Sequence, residues 1–193
     1  MTSRQQWSIV AGIVAVVGLG LTAATRLLSD DLFPVTIGST APTFRAKILG
    51  GSQYKTLEDY KGKVVLLNLW ATWCEPCLRE MPSIERLHRA YGDKGLAVVA
   101  VSVDAYANDD SVRAFAHSLG VTFEVLHDST MRIADTYQAT GYPQTFIIDT
   151  ERTIRKKWIG DADWNSPGNR ALVAQLLGLE TPRVVVDPSG TRP

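Results

Sequence analysis

Cysteine is nearly absent from this chain. Its 193 residues hold two, Cys74 and Cys77, too few for a disulfide framework, so the pair can matter only as reactive thiols or as metal ligands. An excess of one charge is missing too. Twenty basic residues balance 20 acidic ones, leaving no net field to draw in nucleic acid or a polyanionic substrate. The three histidines, His88, His117 and His127, have no paired spacing that would complete a zinc or copper site. There is no internal repeat or low-complexity tract, and the 45% hydrophobic content suits one ordinary domain with appendages.

Apolar sequence is concentrated first at the amino terminus. From Trp7 to Ala24 run 18 residues without a charge, flanked by Arg4 and Arg26. As a helix they measure about 27 Å, close to the ~30 Å hydrocarbon core of a bilayer. The stretch is apolar on every face, which a helix buried in a small domain is not. It reads as a single transmembrane helix; the competing reading is a cleavable signal peptide with Thr22-Ala23-Ala24 as its small-residue site. Either one sends the rest of the chain out of the cytosol. The organisation expected is an anchor or signal at 1–28, a tether at 29–35, one folded domain at 36–180 and a disordered tail at 181–193.

Within the domain, Pro42, Phe44 and Ile48 open a short strand, Gly50-Gly51 turns the chain, and Gln53 to Thr56 pair back as a hairpin. Val64 to Trp70 is too continuously apolar for a half-exposed edge, so it belongs inside a sheet covered on both faces. Cys77, Met81, Ile84 and Tyr91 mark one face of a helix over 75–91, with Pro82 inside it. A second buried strand follows at Leu96–Val103, then a helix at Asp109–Leu119 capped by Asp109 or Asp110, a strand at Phe123–Leu126 and a brief helix at Met131–Tyr137. Two strands, Gln144–Asp149 and Thr153–Ile159, precede a closing helix at Asn165–Leu177. Arg155-Lys156-Lys157 reads as a solvated strand end. This order argues for an α/β sandwich with a central mixed sheet, the two longest apolar runs pairing in parallel through a right-handed crossover.

The chemistry lies where the first apolar strand meets its helix, at Trp73-Cys74-Glu75-Pro76-Cys77. A thiol is a nucleophile only as thiolate, and a helix start offers unpaired amide donors and the positive end of a dipole. Cys74 occupies that position, and Cys77, one turn deeper, is placed to resolve a mixed disulfide. Pro76 stiffens the turn where its missing N–H costs little. Glu75 sets a carboxylate near the thiolate, which raises the thiol pKa and biases the couple toward the reducing end of the roughly −270 to −120 mV range. Glu80, three residues after Cys77 on the inward face, is a candidate proton carrier with a pKa raised by burial. Far along the chain, Gly141-Tyr142-Pro143-Gln144 leads into a strand, where a proline is tolerated at the first residue.

Together these residues resemble the thioredoxin superfamily: Trp73-Cys74-x-x-Cys77 after an apolar strand, Pro82 five residues on, and Pro143-x-Thr145-Phe146. Ala41-Pro42-x-Phe44, Gly62-Lys63-Val64, Asn68-Leu69-Trp70-Ala71-x-Trp73-Cys74, Glu80-x-Pro82 and Gly160-x-x-x-Trp164 are similar to its membrane-anchored TlpA/ResA branch. The resemblance covers about 36–179 and implies a thioredoxin-like sandwich with an added N-terminal β-hairpin. It implies that Pro143 is a cis proline packed against the disulfide, that Tyr142, with Gly141 beside it, offers backbone to a substrate strand, and that Glu80 takes the place of the buried acid thioredoxin carries where Asn68 stands here. It also implies a reductant of protein disulfides such as apocytochrome c, fed by a membrane thiol carrier, with the Cys74–Cys77 pair as its redox centre and no other cofactor or metal.

Two rivals share these residues. A copper chaperone would use the Cys pair with His127. A thiol peroxidase would share the fold, but the Pro and Thr expected seven and three residues before its cysteine are replaced by Leu67 and Ala71. Haem attachment needs His after the second Cys, where Leu78 stands. Trp73 abuts the site; Trp70, Trp158 and Trp164 read as core packing.

Overall fold

The computed structural model describes residue 7 and residues 11–23 and 35–179. The expected tail at 181–193, and all of the expected tether but Val35, lie outside the described residues. The N-terminal helix α1 covers residues 11–23. Among the described residues no helix is long and apolar enough to cross a membrane; residues 8–10 and Ala24 of the expected span lie outside them.

The domain is built on one seven-stranded sheet in the order β2-β1-β5-β4-β3-β6-β7. Its strands are β1 (Arg45–Ile48), β2 (Tyr54–Thr56), β3 (Val64–Trp70), β4 (Leu96–Ser102), β5 (Glu124–His127), β6 (Gln144–Ile148) and β7 (Ile154–Ile159). β3 pairs in parallel with β4, and β4 with β5, while β6 pairs antiparallel with β3 on one side and with β7 on the other. The sheet is therefore mixed, as the element order requires. All seven residues of β3 are buried, the physical reason its sequence carries no polar alternation. The hairpin β1–β2 joins the sheet through β5.

Helices α2 (Glu75–Tyr91), α3 (Asp109–Ser118), α4 (Arg132–Thr136) and α5 (Pro167–Leu176) complete the domain. Side chains alternate across a strand, so two cross-strand contacts place the layers. Asn68 of β3 meets Thr145 of β6 and Glu80 of α2 on one face, whereas Phe146 meets Tyr137, just after α4, on the other. Lys156 reaches Asn169 of α5 on the α2 side. α2 runs unbroken through Pro82 over the range the periodicity predicts.

Two helix starts differ from expectation. Asn108, not Asp109 or Asp110, caps α3: its side-chain oxygen accepts the Ser111 N–H at 2.8 Å, while Asp109 is engaged by Lys47 and His127. α5 begins at Pro167 rather than Asn165, since Ser166 caps it and Pro supplies a preformed first helical residue. Arg155, Lys156 and Lys157 lie in β7 and pair with Asp149, Asn169 and the Val35 carbonyl. Trp158 is a correction: it is 46% exposed on the edge strand β7, whereas Trp70 and Trp164 are fully buried.

Leu67→Ala empties a fully buried position in β3. It is expected to cost about 2–5 kcal/mol, read as a lower urea midpoint at unchanged m-value.

Candidate functional site

β3 delivers the chain to a turn closed by the Cys74 N–H donating to the Ala71 carbonyl at 3.1 Å, and α2 starts at once. Cys74 is the N-cap, and its sulfur accepts the Cys77 N–H at 3.3 Å. That bond uses one of the orphan amides of the helix start, and in the reduced state the same donor would face a thiolate. The two sulfurs are bridged with Cα atoms 5.3 Å apart. Cys74 is 4% exposed and Cys77 fully buried, the asymmetry expected of an attacking and a resolving thiol. Pro76 lies in the first turn.

Glu75 turns outward and pairs with Arg79 at 3.4 Å; Arg79 also reaches Asp161 at 3.2 Å. An exposed pair of this kind is weak, yet it offsets part of the negative charge that Glu75 would otherwise bring to the sulfur. Trp73 is exposed, and its ring meets Tyr142 edge-on at 6.0 Å. That contact brings the distant 141–144 loop alongside the Cys74 turn. The Tyr142–Pro143 bond is cis. The Thr140 N–H donates to the Gln144 side chain at 3.2 Å, and the Gly160 N–H to the Pro143 carbonyl at 2.8 Å, so both ends of this loop are pinned. Gly141 leaves open space that a methyl would fill only up to Ile159, at 3.6 Å.

Glu80 is 1% exposed. It sits three residues after Cys77 on α2, a spacing that makes the two side chains neighbours on one helix face. Asn68 Nδ2 donates to Glu80 Oε1 at 2.7 Å, and Trp164 Nε1 to Oε2 at 2.8 Å. Asn68 Nδ2 also donates to Thr145 Oγ1 at 2.8 Å. Burial pushes the Glu80 carboxyl up to about 7; the donors from Trp164, Asn68 and the Ala162 backbone pull the other way, and Asp161 adds slightly to the rise. A carboxyl poised there can take or give a proton at neutral pH.

Trp164 and Thr145 complete the hydrogen-bonded group around Glu80 and Asn68, and side-chain type alone does not reveal them. By residue type Trp164 reads as packing; its place four residues after Gly160 in the TlpA/ResA-like pattern is the usable signal. His127 and His88 are each engaged by residues other than the thiols. Both ring nitrogens of His127 are engaged, with Asp109 at 2.8 Å and the Asp104 carbonyl at 2.9 Å, and His88 packs edge-on against Phe123. Among the described residues no three His, Cys, Asp or Glu side chains converge as a metal site.

A thioredoxin-like sheet that presents a Cys-x-x-Cys disulfide at a helix start defines a thiol–disulfide oxidoreductase. Known proteins bear this out. The AhpC/TSA family matches residues 37–157. The thioredoxin-like protein YneN of Bacillus subtilis is 41% identical over 154 residues, covering 78% of this chain and 89% of that protein. The thiol-disulfide oxidoreductase ResA of Geobacillus kaustophilus is 35% identical over 144 residues, covering 75% and 80%. Among solved structures, a putative protein disulfide isomerase from Bacteroides thetaiotaomicron has a TM-score of 0.62 at 32% identity, covering 74% of this chain and 88% of that one. The chain belongs to the AhpC/TSA family of thioredoxin-like proteins, among relatives named ResA.

Proposed function

We propose that this enzyme is a reductant of protein disulfides outside the cytosol, anchored through residues 7–24, with apocytochrome c among its substrates and a membrane thiol carrier as its electron donor. Cys74 is the nucleophile, Cys77 the resolving thiol and Glu80 the proton carrier; Gly141, Tyr142 and Pro143 form the wall along which the substrate strand lies. Trp73, Glu75 and Pro76 tune the couple. The observation that carries this reading is the buried Glu80 carboxyl on the helix face of Cys77, held by Asn68 and Trp164.

In the reduced enzyme the Cys74 thiolate attacks one sulfur of the substrate disulfide. The new S–S bond is the mixed disulfide, and the displaced substrate thiolate takes up a proton. Cys77 then gives its proton to the Glu80 carboxylate and attacks Cys74 Sγ. This expels the second substrate sulfur as a thiolate, which is protonated in turn. Two electrons pass to the substrate, two substrate thiols form, and the enzyme is left with the bridged pair. A dithiol carrier returns it to the reduced state by the reverse exchange.

Equilibrating the protein against a glutathione or dithiothreitol ladder tests the direction of electron flow. A reductant is expected to titrate below about −200 mV; a value near −120 mV would make it an oxidant and overturn the assignment.

A further inference from the structure

The turn that carries Cys74 is gripped from outside the Cys-x-x-Cys motif by a residue at the end of the neighbouring strand. Asp104, two residues beyond β4, is only 4% exposed. Its carboxylate accepts the Thr72 N–H at 2.9 Å through Oδ2 and the Thr72 hydroxyl at 2.7 Å through Oδ1. A third donor, the Ser102 hydroxyl, reaches Oδ2 at 2.6 Å. Thr72 lies inside the Ala71–Cys74 turn, so a side chain and an amide of that turn are both tied to one buried group. Hydrogen bonds to an ionised acceptor are the stronger kind, and a buried carboxylate with three donors is held in place by them.

Asp104 is itself held from behind. Its carbonyl oxygen can only accept, so the bond from His127 at 2.9 Å makes Nε2 the donor. The other ring nitrogen of His127 meets Asp109 at 2.8 Å, and Asp109 pairs with Lys47 of β1 at 2.5 Å. The Val103 N–H donates to the Trp70 carbonyl at 2.9 Å, which keeps the ends of β3 and β4 together beneath this clamp.

We propose that Asp104 is a positioning residue of the redox centre: by clamping Thr72 it fixes the Cys74 turn and keeps the two thiols of the reduced enzyme close enough to bridge readily. It touches neither sulfur and acts through Thr72. Closing a disulfide from two thiols costs less when the turn that carries one of them, here the one leading into Cys74, is already ordered. Releasing the turn therefore weakens the enzyme's own disulfide, and the couple becomes more oxidising.

The test compares Asp104→Asn, Thr72→Val and the double variant in the full-length protein. Asp104→Asn keeps the side chain's shape, loses the charge and turns an amide N–H₂ toward a donor. It is expected to lower the equilibrium constant for forming the Cys74–Cys77 bridge about tenfold, a rise of about 30 mV for this two-electron couple. Thr72→Val removes only the hydroxyl bond and is expected to shift the potential the same way by less. The double variant is expected to fall short of the sum, because both changes break one contact. A potential equal to wild type in Asp104→Asn, with only the melting temperature lowered, would reduce Asp104 to a structural part and overturn the proposal. Additive shifts would overturn it as well. Should Asp104→Asn fail to fold, an unshifted potential in Thr72→Val would do so by itself. The inference rests on the exchange chemistry proposed above, and the wild-type titration separates the two. A wild-type pair that never titrates removes the chemistry; a wild type that titrates beside unshifted variants removes only the clamp.

Discussion

Cys77→Ser is expected to turn the enzyme into a covalent trap. With the nucleophile intact, Cys74 still attacks a substrate disulfide, but the sulfur that would displace the substrate is gone. Cys77 is fully buried in the first turn of α2, one turn on from Cys74. A neighbour so placed acts at an effective concentration far above that of any dissolved thiol. Its loss should slow release of the mixed disulfide by on the order of a thousandfold. Cys74→Ser, by contrast, should abolish capture altogether, since a hydroxyl at the helix start does not ionise as a thiol does. The pair is checked by reduction of a polypeptide disulfide such as insulin and by non-reducing gels. Cys77→Ser should accumulate a thiol-labile adduct, and Cys74→Ser should show neither adduct nor turnover. An adduct that accumulates in Cys74→Ser and not in Cys77→Ser would reverse the two assigned roles.

Much of this site is legible in the sequence, and the reason is locality. Strand β3, helix α2 and the thiols at their junction lie within one stretch from Val64 to Tyr91, where hydrophobic period, an N-terminal proline and turn glycines act over a few residues. The parallel pairing of β3 with β4 followed from the helix between them. What the residue types did not reveal was the set of partners. Trp164 and Glu80 are 84 positions apart, and Asn68 and Thr145 are 77 apart; sheet register and the packing of the 160–164 loop bring them together. An indole N–H looks the same in sequence whether it faces a carboxylate or only apolar neighbours. Trp70 and Trp164 make the contrast, since among the described residues the Trp70 indole nitrogen has no hydrogen-bond partner and that of Trp164 holds the proposed proton carrier. Asp104 was silent for a similar cause. A lone aspartate after a strand usually ends in solvent, and only the approach of Thr72, in the turn that follows β3, makes it a clamp.

Glu80→Gln is expected to change two pH profiles at once, and their signs follow from one displaced titration. Burial holds the folded carboxyl near 7, against 4.5 for the free group. Between those values the folded protein binds more protons than the unfolded chain, so its stability falls as pH rises. The contribution is fully present below about 4.5 and is lost as pH climbs through about 7. At ~1.4 kcal/mol per pH unit the loss is about 3 kcal/mol. Urea unfolding of the oxidised protein at pH 4.5 and pH 8 should show it, and Glu80→Gln should lack this component because an amide does not titrate in that range. In the proposed mechanism the ionised form is the one that accepts the Cys77 proton. Resolution of the mixed disulfide by the wild type should therefore speed up as pH rises through about 7. In Glu80→Gln it should slow by about a hundredfold and lose that limb. Trp164→Phe separates charge from structure. It deletes one of the donors that favour the carboxylate, so the Glu80 titration should move upward and carry the rate inflection with it. A rate profile that keeps its inflection near 7 in Glu80→Gln would assign the proton transfer to another group, whatever the stability data showed.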